Sequence, residues 1–161
     1  MIYYCEMASP LGPLLVAASD AGLRGIYFEE HKHFKGKGDW RLDPQHPILQ
    51  QAALQLQEFF AGTRTGFDVP LDLSGTPFQQ AVWRQLLTIP YGDTISYAQH
   101  AQRVGRPTAA RAVGAAIGRN PVSIVVPCHR VLGSNGAHTG YAGGLERKRA
   151  LLEFESQRAH R

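Results

Sequence analysis

The chain is short of cysteine, methionine and tryptophan, with two of each among its 161 residues. Two cysteines, Cys5 and Cys128, make a poor disulfide framework. A zinc site asks for four clustered ligands, or three and a water, and Cys128-His129 has no C-x-x-C or H-x-x-x-H companion. No metal is therefore expected. Long apolar runs are also missing, since none approaches the roughly 18 residues a membrane helix requires. The opening "MIYYCEMASPLG" holds an acid and no basic start before an apolar run, so no cleavable leader is expected. These absences point to a soluble cytoplasmic protein. The hydrophobic share of 43% is enough to build a real core.

Acid is scarce in one half only. Residues 1–78 carry 9 acidic and 6 basic side chains, a net of −3, whereas residues 79–161 carry 4 acidic and 11 basic, a net of +7. The whole chain sums to +4. Such asymmetry permits a polyanion-binding face in the second half, although a charge run is also how an ordinary solvated surface looks.

The first half reads as strands and one helix. "IYYCEM" and "LLVAAS" flank the turn-rich "ASPLGP", and "GLRGIYFEE" follows as a third strand, which predicts an antiparallel meander. "HKHFKGKGDWRLDP" has no clear period and reads as a loop. From Pro47 to Phe60, Leu49, Ala52, Ala53, Leu56, Phe59 and Phe60 recur at helical spacing, and Gly62 stops the helix. "TGFDVPLDLSG" returns to extended chain. A boundary near residues 73–76 divides an N-terminal α/β domain, 1–75, from a C-terminal domain, 76–161.

The second half is mainly helical. Thr76, Pro77 and Gln79 make a capping box with proline at the first helical position. Ser96 and Gln99 offer a second box. "VGRP" separates that helix from "PTAARAVGAAIG", a helix of small side chains. This is the outline of a helix-turn-helix, with ordinary packed helices as the alternative. Ala110, Ala112 and their small neighbours allow close approach to another helix or to a nucleic-acid backbone, and Arg111 is the long charged exception. "VSIVV" looks strand-like, and Pro127 ends it. "LGSNGAHTGYAGG" reads as a glycine-rich loop. "LERKRALLEFE" closes as a helix with Leu145, Leu151, Leu152 and Phe154 facing inward. The fold class is α+β: a small antiparallel sheet with a helix, then a helical domain with a helix-turn-helix.

"VPCHR" is the stretch with chemistry in it. Free cysteines are usually small buried hydrophobes, and Cys5 fits that description. Cys128 has two readings, core residue or reagent. His129, Arg130 and the basic half favour a thiolate, and a histidine oriented by a carboxylate can accept a thiol proton. Glu146, Glu153 and Glu155 lie downstream. In extended chain, however, neighbouring side chains point to opposite faces, so His129 reaches Cys128 only through a bend or a water.

"VPCHRV", "FQQAVWRQLLTIPYGDTISYAQHAQRVGRPTAARAVGAAIGRNPVSIVV" and "GYAGGLERKRALLEFE" together resemble the O6-alkylguanine-DNA alkyltransferases, across nearly the whole second half. "SPLG" and "FDVPLDL" resemble that family's variable N-terminal domain. The resemblance implies a direct-reversal repair protein that moves the alkyl group of O6-alkylguanine in double-stranded DNA irreversibly to its own cysteine, once, with no diffusible cofactor. It implies Cys128 as acceptor, His129 as base through a water, and Glu155 as the carboxylate orienting His129. Asn120 resembles the residue bracing the turn, and Tyr97 the tyrosine near guanine N3 and the flipped nucleotide's phosphate. Arg111 is similar to the residue filling the hole left by the extruded base, with Ala110, Ala112 and Arg130 as further DNA contacts. Tyr141, Ala142, Gly143 and Gly144 resemble the pocket loop. Ala142 departs from the serine often found there, which removes a hydroxyl contact to the base. A monomer in solution is implied, with cooperative assembly on DNA and activity on O4-alkylthymine left open. The rival function is a lesion-binding protein without chemistry. Such relatives carry tryptophan where this chain has Cys128.

Overall fold

The structure, a computed structural model, describes residues 1–133, 136 and 140–159. The glycine-rich loop expected at 132–144 therefore lies partly outside the described residues.

Three strands, β1 (Tyr3–Met7), β2 (Leu14–Ala18) and β3 (Leu23–Phe28), form the antiparallel meander read from the sequence. A fourth, β4 (Arg41–Leu42), lies parallel to β1, giving the sheet order β3-β2-β1-β4. This short edge strand sits inside the segment read as loop. Two exposed residues without alternation carry no strand signal, and only pairing with Tyr3 and Tyr4 creates it.

Helix α1 (Pro47–Ala61) packs on the sheet through Leu49, Ala52, Leu56 and Phe59, each with 0% exposure. Each such leucine contributes about 1.5–3 kcal/mol of burial. Gly62 ends the helix at φ +82°, and Thr63 N–H donates to the Glu58 carbonyl beyond it.

Helices α2 (Pro77–Leu86), α3 (Tyr97–Arg103) and α4 (Ala110–Gly118) follow. The capping boxes of Thr76 with Gln79 and of Ser96 with Gln99 are both formed. Trp83 Nε1–H donates to the Ala116 carbonyl at 2.7 Å, tying α2 to α4 inside the core. His100 Nε2 lies 3.0 Å from the Val82 carbonyl and ties α3 to α2. Helix α4 starts at Ala110, three residues later than the sequence pattern suggested, because Pro107 and Thr108 form a turn closed by Ala109 N–H donating to the Arg106 carbonyl.

Two short strands, β5 (Ile95–Ser96) and β6 (Val131–Leu132), pair in parallel. They bind the start of α3 to the segment just after Cys128. Helix α5 (Leu145–Ala159) closes the chain. Leu151 is 1% exposed, but Leu145, expected to face inward, is 45% exposed at the helix's first position. The buried apolar cluster runs from Cys5 and Val16 in the sheet to Val113, Val126 and Leu151, without a break at residues 73–76. Ile26 N–H donates to the Pro121 carbonyl at 2.9 Å, joining sheet and helical region directly. Among the described residues no helix is long and apolar enough to cross a membrane.

Candidate active site

The run "VSIVV" is not a strand. Only Val122 makes a bridge, to Ile26, and residues 123–125 turn. Asn120 explains the difference. Its Oδ1 accepts from Val122 N–H at 3.0 Å, and its Nδ2 donates to the Val126 carbonyl at 2.9 Å. The side chain supplies partners that a neighbouring strand would otherwise give. Ile124 takes φ +73°, a costly conformation for a β-branched residue. The β-branched side chains report burial: Val122, Ile124, Val125 and Val126 are all within 6% exposure.

Pro127, at φ −82° and ψ 62°, then forms a tight turn in which Cys128 N–H donates to the Val126 carbonyl at 2.8 Å. Cys128–Arg130 is one turn of 3-10 helix. The chain here is therefore not extended, which removes the geometric objection to Cys128 and His129 acting together.

Glu155, eleven residues into α5, organises the site. His129 Nε2–H donates to its Oε2 at 2.7 Å. Arg130 donates from Nε to Oε1 at 2.8 Å and from a terminal nitrogen to Oε2 at 2.9 Å, a bidentate pair. Arg130 also donates to the Ile89 carbonyl at 2.7 Å. This corrects the expectation that Arg130 contacts DNA. It is 6% exposed, and its donors are engaged inside the protein. Burial would raise the Glu155 carboxyl, yet His129 and the Arg130 guanidinium hold it down to about 2. Burial lowers the pKa of His129 against the pull of Glu155. The imidazole is thus neutral at neutral pH, with Nε2 protonated and Nδ1 as acceptor. Among the described residues Nδ1 has no hydrogen-bond partner.

Burial pushes the Cys128 thiol up to about 11, against the lowering influence of Asn120 and Lys148. The basic surroundings expected to favour a thiolate do not overcome desolvation, so the resting group is a thiol. Lys148, absent from the sequence reading, is 0% exposed and donates to the Val131 carbonyl at 2.7 Å. Burial lowers it to about 8. A signal for it existed: Lys148, Leu151 and Glu155 stand at i, i+3 and i+7 on one face of α5.

A cavity of about 660 Å³ meets this cluster at Tyr141, which lines the cavity and interacts electrostatically with Cys128. Tyr97, Ala110 and Arg111 line it from α3 and α4, and Tyr141 and Ala142 from the loop before α5. Tyr141 is 9% exposed, and burial, then the nearness of Cys128, raises its phenol well above the ordinary range. Gly114 of α4 faces the Tyr97 ring, where a Cβ would rest in ordinary contact at 3.6 Å. Of the other predicted residues, Ala112 is exposed on α4 away from the cavity lining. Gly143 and Gly144 line a neighbouring recess with Arg147. A Cβ on Gly143 would collide with the Phe28 ring, and Gly144 has φ +94°, so both need glycine. Arg147, also missed, donates to the carbonyls of Leu11, Glu29 and Gly143 and so fastens the pocket loop to the N-terminal half. Among the described residues no group of three His, Cys, Asp or Glu side chains is placed to hold a metal ion.

A buried thiol, an acceptor nitrogen on a histidine fixed by a carboxylate, and an adjoining cavity walled by a small-residue helix define a cysteine group-acceptor site. Comparison with known proteins agrees with this class. Residues 77–157 match the family model "6-O-methylguanine DNA methyltransferase, DNA binding domain", and residues 2–73 match the "ribonuclease-like domain" of the same family. A methylated-DNA–protein-cysteine methyltransferase of Mycobacterium tuberculosis is 51% identical over 159 residues, covering 99% of this chain and 95% of that protein. One from Methanosarcina acetivorans is 44% identical, covering 96% and 98%. A crystal structure of Mycobacterium tuberculosis OGT in complex with DNA superposes with a TM-score of 0.90 at 50% identity, covering 97% of this chain and 94% of that one. The chain belongs to the 6-O-methylguanine DNA methyltransferase family.

Proposed function

We propose that this protein is a direct-reversal DNA repair protein that transfers the alkyl group of O6-alkylguanine in double-stranded DNA to its own Cys128. The observation that carries this reading is the buried Cys128–His129 turn, with His129 held by Glu155 at 2.7 Å, beside the cavity under α4.

The target carbon lies inside the duplex, so the nucleotide must be extruded, at a cost of a few kcal/mol. Helix α4 presents its small face to the minor groove, and Arg111, exposed at the cavity edge, fills the vacated stack. The Cys128 proton moves through a water to Nδ1 of neutral His129, and Glu155 stabilises the resulting imidazolium. The sulfur attacks the alkyl carbon, and the carbon–O6 bond breaks. The guanine leaves as its neutral base once a proton reaches it, with Tyr97 as donor. The product is a thioether with no easy leaving group, so each molecule acts once. No diffusible cofactor enters the balance.

The same reading places the protein in the cytoplasm as a monomer, with an N-terminal domain at 1–75 supporting an acceptor domain at 76–161. Phosphate contacts dominate its DNA affinity, so binding has little sequence preference and weakens with salt.

The test is intact-protein mass before and after incubation with a short duplex containing O6-methylguanine, with peptide mapping and a Cys128→Ser control. One added methylene mass on Cys128, at one equivalent and no more, is expected. Tight lesion binding without a mass change would favour the lesion-binding alternative, and repeated turnover would indicate a hydrolase.

A further inference from the structure

The cavity beside Cys128 is not built by the helical region alone. Lys32 and His33, from the segment after β3, form part of its wall together with Arg111 and Arg119 of the α4 region. That segment is anchored on both sides. Phe28 N–H donates to His31 Nδ1 at 3.2 Å, and Lys32 N–H donates to the Ala142 carbonyl at 2.8 Å, on the pocket loop itself. Beyond it, the Phe34 ring lies 4.4 Å from Tyr27 and 6.0 Å from Trp40. Between these anchors Lys32 and His33 remain exposed.

Two further observations point to an anion. His33 takes φ +66°, a conformation rare for a residue with a side chain and one that gathers at ligand clamps. Its imidazole also feels both Arg119 and Lys32, so cations from two parts of the chain converge on one place. No carboxylate among the described residues lines this cavity. Among the described residues, none of the Lys32, His33, Arg111 and Arg119 side chains forms an ion pair or hydrogen bond. Like charges set this way repel one another until a polyanion arrives.

We propose that Lys32 and His33 bind a DNA backbone phosphate flanking the extruded nucleotide, so that the N-terminal half supplies one jaw of a clamp whose other jaw is Arg111 and Arg119. This rests on the reading of the cavity as the place that receives the alkylated base. Swinging a nucleotide out of the stack carries its flanking phosphates to the mouth of the pocket. The small-residue face of α4 takes the backbone on one side, and Lys32 and His33 meet it on the other. The amide link from Lys32 to Ala142 fixes the spacing between phosphate and base, so the clamp also positions the base relative to Cys128.

The experiment compares wild type, Lys32→Ala, Lys32→Glu, Lys32→Ala with His33→Ala, and a charge control, Arg64→Ala. Arg64 is paired with Glu58 at 3.0 Å and lies outside the cavity lining. Binding to unmodified duplex is measured against salt, and alkyl transfer is measured with duplex O6-methylguanine and with the free O6-methylguanine base, which has no phosphate. Lys32→Ala is expected to weaken duplex binding by roughly threefold to tenfold and to reduce the log–log salt slope by about 1. The ratio of duplex to free-base transfer rates falls similarly, Lys32→Glu falls further, and Arg64→Ala stays at the wild-type ratio. A salt slope and rate ratio unchanged in Lys32→Glu would overturn the clamp. Equal losses with duplex and free base would overturn it too, because they would indicate damage to the pocket itself. A wild-type protein that accepts alkyl from neither probe would sink the repair reading instead, while the binding isotherms would still decide the phosphate contact.

Discussion

His129 and Glu155 meet at 2.7 Å with 0% and 1% exposure, and the same carboxylate carries both hydrogen bonds of the Arg130 pair. One side chain therefore orients the base and neutralises a buried cation. Glu155→Gln keeps the shape but can present an N–H to His129, disturbing the tautomer that leaves Nδ1 free to accept. Alkyl transfer is expected to slow by about a hundredfold, within the range a positioned base supplies. Glu155→Ala also strands Arg130 in the core and should cost about 3–5 kcal/mol of stability. Single-turnover transfer rates and urea denaturation check the two parts. A Glu155→Gln protein reacting at the wild-type rate would remove the relay.

The same network sets the acid limit of the fold. The folded Glu155 carboxyl is held at about 2 against an ordinary 4.5, so on acidification the unfolded chain takes up that proton first. Its stabilisation is complete above 4.5 and is lost as pH falls from 4.5 towards 2. His31, His100 and His129, lowered chiefly by burial, act in the same direction, beginning as pH drops through 6.5. Urea midpoints should therefore decline from pH 7 downward, and the decline between 4.5 and 2 should be shallower in Glu155→Gln. Parallel curves for the two proteins in that window would exclude Glu155 as a source of the loss.

Local signals in the sequence translated well where local physics decides. The capping boxes at Thr76 and Ser96, the stop at Gly62 and the three meander strands needed only neighbouring residues. The misses came from long-range partners. β4 exists because β1 offers an edge, and "VSIVV" turns because Asn120 captures its amide and carbonyl groups. Arg130, expected among the DNA contacts, is brought inside by the carboxylate 25 positions away, a partner that no local signal announces. For the site, resemblance named Cys128, His129 and Glu155, and coordinates add why the thiol stays protonated at rest. Lys148 and Arg147 were overlooked because basic residues on a terminal helix rarely have buried partners.

Asn120 should be worth more than a turn residue normally is. It is 3% exposed, and its amide group serves both Val122 N–H and the Val126 carbonyl. Asn120→Ala leaves Val122 N–H buried without its partner, leaves the Val126 carbonyl with Cys128 N–H alone and releases the turn at Ile124, for an expected loss of about 2–3 kcal/mol. Transfer should slow as well, because Cys128 N–H hangs from the Val126 carbonyl. Asn120→Asp keeps the acceptor for Val122 but not the donor for Val126, and should fall between. Denaturation midpoints and single-turnover rates read this series. An Asn120→Ala protein as stable as wild type would show that the turn holds without its brace.

Repair should leave the protein weaker than it was. Cys128 is 6% exposed in a packed turn between Val126 and Val131, both at 0%. Adding a methyl group there overpacks the site, and such insertions cost about 1–3 kcal/mol. The thioether also cannot donate a hydrogen, so any partner accepting from the thiol is left unmatched. Larger alkyl groups should destabilise more, since the extra volume meets the same walls. Thermal melts of free and methylated protein, with Cys128→Ser as a reference that cannot be alkylated, measure the effect. The methylated form should melt several degrees lower, while Cys128→Ser incubated with the same DNA stays unchanged. Coincident melts of the free and methylated forms would mean that the cavity under Tyr141 absorbs the methyl group, and that loss of stability is not how the spent protein differs from the fresh one.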